Sequence, residues 1–514
     1  MRSVPLAALA GCAVVVGVFA PLGYLAYFAL TSETGSFAFV VRAQTLTAVW
    51  NTFALAAAVL FFGTLIAAPY AFLTTRARLR GERLFVLLGA LPLAIPGYVL
   101  AMVWLGIGGD YGLSQRVLGV GLWRANGFWG ATLALTVYTF PYLFLNLRAA
   151  LTRLDPSLAE VARSHGLRGW ALWRAAILPQ VRAAYLAGAL LVVLHVLADF
   201  GVTSLMRFET LSFAIYRQAQ GAFDRTYAAW LSLVLVGLTA VLLFVDMRFL
   251  RGRLKPVSGA TIRFAPRVAL GRWTAPAYLY LVGVIGFSLL VPVAALFLWA
   301  SQPPEFDSVI SWKHAMRNSL VLGVGAAVCA PALVLPILRV SVRREGLWAR
   351  LLERIPYLGY AIPPLPLALA FVWLTLSVVP DLYQTLPLLL AALLLRFLAE
   401  AVGPIRSLLM RLPERVEEAS YALGFGWLAT LRRVTAPLLR RGVLIAMAFV
   451  FLAVVKELPL TLILAPNGFD TLATNVWTHM EEAHFALAAP HALAILAVAG
   501  IFVTILQFGE QEQK

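Results

Sequence analysis

The stretch EEASYALGFGWLATLRRVTAP, from Glu417 to Pro437, is charged and amphipathic, yet it lies between two almost unbroken apolar runs. A stretch of the same character, AEVARSHGLRGWALWRAAILP, runs from Ala159 to Pro179, 258 positions earlier. In both copies apolar residues recur at helical spacing before and after a glycine, which is Gly166 in the first and Gly424 in the second. This pattern predicts a short helix that ends in a left-handed turn at the glycine, followed by a second helix. A matched pair at a fixed offset indicates that the chain is internally duplicated.

The composition around these stretches is that of a membrane protein. Of 514 residues, 61% are hydrophobic and 13% are charged, which leaves too few polar residues to cover a soluble protein of this size. Apolar runs of about 20 residues, the length that crosses a bilayer as a helix, recur along the chain. The sequence therefore predicts an all-α polytopic membrane protein with about twelve transmembrane helices. The predicted spans are Val4–Leu30, Val49–Thr74, Leu84–Leu105, Phe128–Leu147, Ala183–Ala198, Tyr227–Val245, Tyr278–Trp299, Leu320–Leu338, Pro356–Val379, Leu386–Leu409, Val443–Leu464 and Ala486–Leu506.

The distribution of Lys and Arg among the loops predicts the orientation of these helices. Arginine-rich loops at 76–83, 248–272 and 339–354 alternate with loops that are poor in basic residues, such as 468–484. Because basic loops stay on the cytoplasmic side, we expect the arginine-rich loops and both termini to be cytoplasmic. The loop at 207–225 departs from this rule. The net charge of +17 then reflects topology, so we expect membrane lipid, and no nucleic acid, as a partner.

The duplication extends beyond the charged stretches. WNTFALAAAV, starting at Trp50, matches RNSLVLGVGA, starting at Arg317. The chain thus divides into a first half (1–250), a basic cytoplasmic linker (251–275) and a second half (276–514), with about six spans in each half. Copies with an even number of spans run parallel, so we expect two parallel six-span repeats with pseudo-twofold symmetry about the membrane normal and a pathway between them.

The charged stretches resemble the coupling loop in permease subunits of binding-protein-dependent ABC importers. The resemblance implies that each loop docks on one of two copies of an ABC ATPase subunit. This chain has the pattern twice, although the second copy keeps only the proline of its Ile-x-Pro ending. The matching residues are Glu160, Ala162, Gly166 and Pro179 in the first copy and Glu418, Ala419, Ser420, Gly424 and Pro437 in the second. The chain contains no GxxxxGK[ST] sequence, so we expect a transport subunit rather than an enzyme, with ATP used through the partner and no cofactor bound directly.

Two carboxylates occupy equivalent positions at the ends of apolar runs. Asp199, in HVLADFG, and Glu457, in VVKELPL, are also 258 positions apart, and each follows its loop proline by about 30 Å of helix. Charged residues within spans are usually functional, so one interpretation places both at the outer end of the pathway, with His195 one turn away. The alternative is that they cap the next short segment or pair with Lys456 and Arg207. For His195 alone, simple packing is the competing interpretation.

The regions that follow the two carboxylates point to a cargo. They resemble the corresponding regions in the fused permeases of ferric-iron importers, which implies transport of ferric iron from an external binding protein across a bacterial inner membrane. Oxygen ligands suit a hard trivalent cation, although we expect no metal held by the permease itself. Thiamine or another small solute is the alternative cargo. A twelve-span secondary transporter is the alternative class, and the matched loops favour the ABC importer.

One further motif resembles a zinc-protease sequence. In HMEEAH, from His479 to His484, the histidines are five positions apart rather than the four that a protease helix requires. We therefore expect no hydrolytic site there, and the segment is predicted to lie in an outer loop, where a transient contact with cargo or binding protein is the functional alternative.

Overall fold

The fold is described by a computed structural model that covers residues 3–32, 37–221, 224–250, 267–302, 308–344 and 346–511. Within these ranges the chain is helical, with an isolated β-bridge between Ala77 and Val268 but no strand. The helices of the first half are α1 (Ser3–Thr31), α2 (Ala43–Arg76), α3 (Glu82–Ala90), α4 (Gly97–Ile107), α5 (Leu113–Leu118), α6 (Gly127–Thr152), α7 (Pro156–Ser164), α8 (Gly169–Leu172), α9 (Leu178–Ala198), α10 (Gly201–Leu205), α11 (Leu211–Gln220) and α12 (Arg225–Val245).

The second half repeats this order of elements. Its helices are α13 (Thr274–Ile285), α14 (Val291–Ala300), α15 (Ser308–Arg343), α16 (Leu347–Arg354), α17 (Pro364–Val378), α18 (Leu386–Arg411), α19 (Glu414–Ala422), α20 (Trp427–Thr430), α21 (Ala436–Val455), α22 (Pro459–Leu464), α23 (Leu472–Glu481) and α24 (Phe485–Gln511). Together α13 and α14 correspond to α1, and α15 to α24 follow the order of α2 to α12, with α5 as an extra helix in the longer loop of the first half. The predicted all-α, duplicated membrane fold is confirmed.

The membrane spans differ from the prediction in form. Nine helices in the described ranges are long and apolar enough to cross a membrane, or ten if one bent pair counts as a span. The predicted continuous span Leu84–Leu105 is wrong, because the chain bends there by 91°. Pro96 cannot donate a backbone hydrogen bond and holds Ile95 in an extended conformation, with ψ 120. The predicted span Pro356–Val379 is likewise shorter, since its apolar helix begins only at Pro364.

The predicted basic linker, 251–275, lies largely outside the described residues, which resume at Arg267. There the chain is held against the arginine-rich loop between α2 and α3. Arg267 pairs with Glu82, Nη1 to Oε2 at 2.5 Å, and the backbone N–H of Arg80 donates to the Tyr278 hydroxyl at 2.8 Å. The start of the second half is therefore fastened to the first half.

The two halves exchange their first helices. In the first half, α1 packs against α15 and α17 of the second half, and in return α13 and α14 pack against α2, α3 and α4. Matching aromatic stacks mark the two contacts: Phe28 lies 5.3 Å from Trp373, and Phe287 lies 4.3 Å from Trp104, measured between ring centroids. This exchange holds the halves together around a shared centre.

Candidate functional site

The two charged stretches form the same helix–turn–helix. Gly166 and Gly424 have φ angles of +79° and +83°, the left-handed conformation that the sequence predicts. Gly166 N–H donates to Arg163 at 2.9 Å and Leu167 N–H donates to Ala162 at 3.0 Å, which is a Schellman ending. The second copy repeats both bonds, from Gly424 to Tyr421 at 2.9 Å and from Phe425 to Ser420 at 3.2 Å. Ala162 and Ser420 thus supply equivalent carbonyl acceptors for the turn.

The first helix–turn–helix lies on the surface. Asp155 caps α7 by accepting from Ser157 N–H at 2.9 Å, and hydrogen bonds from the Ser157 side chain and backbone hold the pKa of Asp155 below its ordinary value. No residue of α7 is buried. Glu160 is exposed and Ala162 is half-buried, while Val161 and Trp170 are 55% and 70% exposed. Pro179 lies in the first turn of α9. Apolar side chains are therefore available to a partner here.

The second helix–turn–helix is anchored by a buried ion pair that the first lacks. Glu417 accepts from Arg339 Nη2 at 2.9 Å and from the Thr435 hydroxyl at 2.8 Å, which ties α19 to α15 and to the start of α21. Its neighbours Glu418 and Ala419 are exposed. At the equivalent positions of the first half stand Ala159 and Phe72, so the duplication pattern gave no signal for this pair.

Two further residues of the second copy are placed by local packing. The hydroxyl of Ser420 lies 2.9 Å from the hydroxyl of Thr430, so α19 and α20 are joined across the turn. Pro437 lies in the first turn of α21. In each copy, the predicted coupling residues thus lie in one helix–turn–helix and in the first turn of the helix that follows it.

A central cavity of about 220 Å³ lies between the two halves. The predicted pathway residues Asp199, Glu457 and His195 all line it. Tyr138 and Tyr142 also line it, and they lie near the middle of α6, so the cavity sits about halfway along this helix. Pro96 and Pro364, where two of the predicted spans are interrupted, also lie on the cavity wall. The remaining lining residues are Pro96, Gly97, Tyr98, Ala198, Phe200, Gly201, Tyr360, Pro364, Arg396, Phe397, Glu400, Ala453, Lys456, Leu458 and Pro459.

The cavity is built from equivalent positions, but the two halves furnish it differently. At the 258-residue offset, Tyr138 corresponds to Arg396 and Tyr142 corresponds to Glu400. Lys456 follows the same pattern, since its equivalent is Ala198. At these three positions the first half therefore presents two tyrosines and an alanine, and the second half presents charges. Sequence reasoning missed Arg396 and Glu400, although two charges within an apolar run were the signal that could have found them.

Both predicted carboxylates cap short helices as well as lining the cavity. Asp199 Oδ1 accepts from the N–H groups of Val202 and Thr203 at 2.9 and 3.3 Å, at the start of α10. Glu457 accepts the equivalent bonds at the start of α22, through Oε1 from Leu460 at 3.0 Å and through Oε2 from Thr461 at 3.1 Å. These bonds fix the carboxylates at the cavity wall. Capping and lining are therefore compatible.

The other polar groups of the cavity are tied to the framework. Lys456 Nζ donates to the Leu93 carbonyl of the other half at 3.1 Å, and Arg396 Nη1 donates to the Ile362 carbonyl at 2.6 Å. His195 Nδ1 lies 2.8 Å from the Leu191 carbonyl, so it donates, and Nε2, 3.0 Å from the Tyr142 hydroxyl, accepts. The histidine thus orients a tyrosine at the cavity.

Tyr98 has a buried hydroxyl on the cavity-lining segment of α4. The residue lines the cavity and is 5% exposed, and its hydroxyl has no hydrogen-bond partner among the residues that the structure describes. A buried hydroxyl without a partner is unfavourable. The carboxylates of the lining give the cavity the means to hold a polar or charged guest.

Comparisons with known proteins agree with this architecture. Residues 60–255 and 311–509 each match the family model described as "Binding-protein-dependent transport system inner membrane component". One match falls in each half, as the internal duplication requires. The family description makes the chain a transport component of the inner membrane.

Individual relatives show both the fused and the half-length form. The Fe(3+)-transport system permease protein FbpB 2 of Haemophilus influenzae is 30% identical over 450 residues, which cover 85% of this chain and 85% of that protein. A probable molybdenum ABC transporter permease of Haloferax volcanii is 28% identical over 207 residues, 40% of this chain and 76% of its own length. The molybdenum transport permease ModB of Escherichia coli is 26% identical over 185 residues, 34% and 81% respectively.

The last two relatives are therefore about as long as one half, whereas the Haemophilus protein matches most of both halves. The predicted fused, two-half permease is confirmed. The chain belongs to the family of inner-membrane components of binding-protein-dependent transport systems, and it carries the domain of that family twice.

Proposed function

We propose that this chain is the permease of an ATP-driven importer that moves ferric iron from an external binding protein into the cytoplasm. The observation that carries the proposal is the 30% identity, over 85% of both chains, to a permease named for Fe(3+) transport. The cavity chemistry supports it, since Asp199, Glu400 and Glu457 bring three carboxylates to one cavity. Carboxylate oxygens suit hard cations.

The central cavity is proposed as the point where the cargo crosses between the halves. Equivalent positions of the two halves line this cavity. A pathway between parallel repeats is expected at such a place, on the pseudo-twofold axis. Asp199, Glu457 and His195 are the proposed pathway residues, and Tyr98 joins them because it lines the same cavity and its buried hydroxyl has no hydrogen-bond partner among the described residues. Arg396 and Lys456 offset part of the negative charge of the three cavity carboxylates, so the cavity does not bind a bare cation tightly. Weak binding allows the cargo to leave the cavity.

The two helix–turn–helix segments are proposed as docking points for two ATPase subunits, one on each segment. The exposed apolar residues Val161 and Leu423, 55% and 77% exposed, support a partner surface on both copies. The proposed coupling residues are Glu160, Ala162, Gly166, Pro179, Glu418, Ala419, Ser420, Gly424 and Pro437. On this proposal both termini and both segments are cytoplasmic.

Cargo identity is testable in proteoliposomes that contain the permease, its ATPase and a loaded binding protein. ATP-dependent uptake of ⁵⁵Fe should exceed uptake of thiamine and of molybdate, each offered with the binding protein that carries it. A Glu160→Ala, Glu418→Ala double variant should insert normally and lose ATP-driven uptake. ATP-dependent molybdate or thiamine uptake without iron uptake would refute the iron assignment and leave the importer class intact. Uptake that persists without ATP on an ion gradient would refute the class.

A further inference from the structure

The turn between α23 and α24 gathers a histidine-rich cluster that the proposed transport function does not use. His479 lies in the last turn of α23. Ala483 has a φ of +59°, a left-handed conformation that reverses the chain, and the N–H of His484 donates to the His479 carbonyl at 2.8 Å. The turn therefore returns His484 to the side of the helix that carries His479.

Three side chains converge at this turn. One ligand atom from each of His479, Glu482 and His484 lies within 4.8 Å of the others. His484 Nδ1 is already 3.2 Å from Glu482 Oε2. His479 Nδ1 is buried and has no hydrogen-bond partner among the described residues. A buried ring nitrogen without a partner is unfavourable, and a bound ion would remove that penalty.

We propose that His479, Glu482 and His484 bind a divalent transition-metal ion, with Zn²⁺ the best fit. Two imidazole nitrogens and one carboxylate oxygen form a donor set that suits this ion, and water completes a four-coordinate site. Ligands about 2.1 Å from one ion stand roughly 3.4 Å apart at tetrahedral angles. The Glu482–His484 pair already meets this spacing, and the ligand atom of His479 lies within 4.8 Å of both, so the proposed site requires these two exposed side chains to turn toward His479. The site is independent of which cargo the permease carries.

The surroundings place the cluster next to the transport cavity. The His479 ring lies 5.6 Å from that of His491. Two residues before His479, Trp477 packs 4.8 Å from Phe200, which lines the cavity. A bound ion would fasten the end of α23 to the start of α24, one aromatic layer from the cavity.

Metal binding can be measured on the full-length chain, purified without a polyhistidine tag and stripped with a chelator. Titration with Co²⁺ should give a saturable visible absorption band at one ion per chain, and Zn²⁺ should displace it. His479→Ala and His484→Ala should each weaken binding at least tenfold, since loss of even an outer partner of a metal ligand weakens metal affinity roughly 10–100-fold. Glu482→Gln should weaken it less, because an amide oxygen is a poorer ligand.

His314→Ala is the matched control, because His314 is an exposed histidine near the start of α15, outside the cluster. It should bind Co²⁺ as the parent chain does. Thermal unfolding separates lost binding from lost folding, and Glu482→Gln changes only an exposed side chain. The proposal is overturned if the parent chain shows no saturable band, or if the cluster variants bind as tightly as His314→Ala.

Discussion

Asp199 and Glu457 each combine a helix-capping role with a place on the cavity wall. Each accepts backbone hydrogen bonds at the start of a short helix while facing the cavity. They differ in one respect. Asp199 accepts both N–H bonds through Oδ1, whereas Glu457 uses both of its oxygens. An amide keeps only one acceptor oxygen, so the two amide substitutions should act differently on stability.

We expect Glu457→Gln to lower the unfolding temperature, through loss of a hydrogen bond of about 1 kcal/mol, and Asp199→Asn to leave it nearly unchanged. Both should reduce ATP-driven iron uptake, and the double variant should reduce it further, because each removes a negative charge from the cavity. Uptake in proteoliposomes and thermal unfolding of the purified chain measure the two effects. Asp381→Asn, at an exposed acid, is the control. Wild-type uptake in both amide variants would leave the carboxylates as caps alone.

A substitution at Gly424 tests whether the left-handed backbone conformation of the turn is needed for coupling. Apart from the chain neighbours of Gly424, no described atom lies within 4 Å of where a Cβ would be, so a larger side chain meets no clash there but is strained by the φ of +83°. We expect Gly424→Val to strain the turn by about 1–2 kcal/mol and to uncouple ATP hydrolysis from transport. Gly237→Val, in α12 with open space and no positive φ, is the matched control. Equal ratios of transport to hydrolysis in the two variants would argue against the turn as a coupling element.

At the scale of elements, the two helix–turn–helix segments are alike in backbone but unlike in attachment. The buried Arg339–Glu417 pair and Thr435 hold α19 against the bundle, while α7 has no buried residue. An element fixed to its neighbours transmits displacement more directly than one held by surface contacts. The second segment is therefore expected to be the more rigid of the two.

Substitutions at the adjacent acids Glu417 and Glu418 can test the anchoring of α19 separately from the proposed docking of the ATPase. Glu417→Gln leaves the buried Arg339 without its counter-charge, and loss of one partner of a buried pair costs about 3–5 kcal/mol. We expect a clear fall in unfolding temperature and faster deuterium exchange in α19. Glu418→Gln changes an exposed side chain, so it should leave stability unchanged and weaken only ATPase association. Indistinguishable stability of the two variants would show that the ion pair does not anchor α19.

At the scale of the whole molecule, the exchange of first helices and the shared cavity make the halves interdependent. Stacks such as Phe28 on Trp373 join α1 to the opposite half. The duplication produces a cavity of equivalent positions, with a carboxylate from each half at Asp199 and Glu457, and divergence has placed Arg396 and Glu400 in the second half where the first half has Tyr138 and Tyr142. A symmetric frame thus holds an asymmetric lining.

The parallel arrangement makes a topological prediction. Reporter fusions at Arg80 and Arg344 should read cytoplasmic. Both residues lie in arginine-rich loops, and these loops occupy equivalent places in the two halves. A fusion at Asp470, between α22 and α23, should read external. Opposite locations for Arg80 and Arg344 would contradict parallel repeats, whatever the transport assay shows.

The amino-acid sequence by itself determined the helical class, the duplication and the two left-handed turns. These features depend on local chemistry: apolar run length, glycine at a positive φ, and a motif repeated 258 positions later. Only the tertiary structure showed that the break at Pro96 forms part of the cavity wall. It also revealed the Arg339–Glu417 pair, whose members are 78 positions apart. It also decided that Tyr142 and Glu400 face one space. Such contacts depend on how helices pack, and no local pattern records which distant side chains will meet.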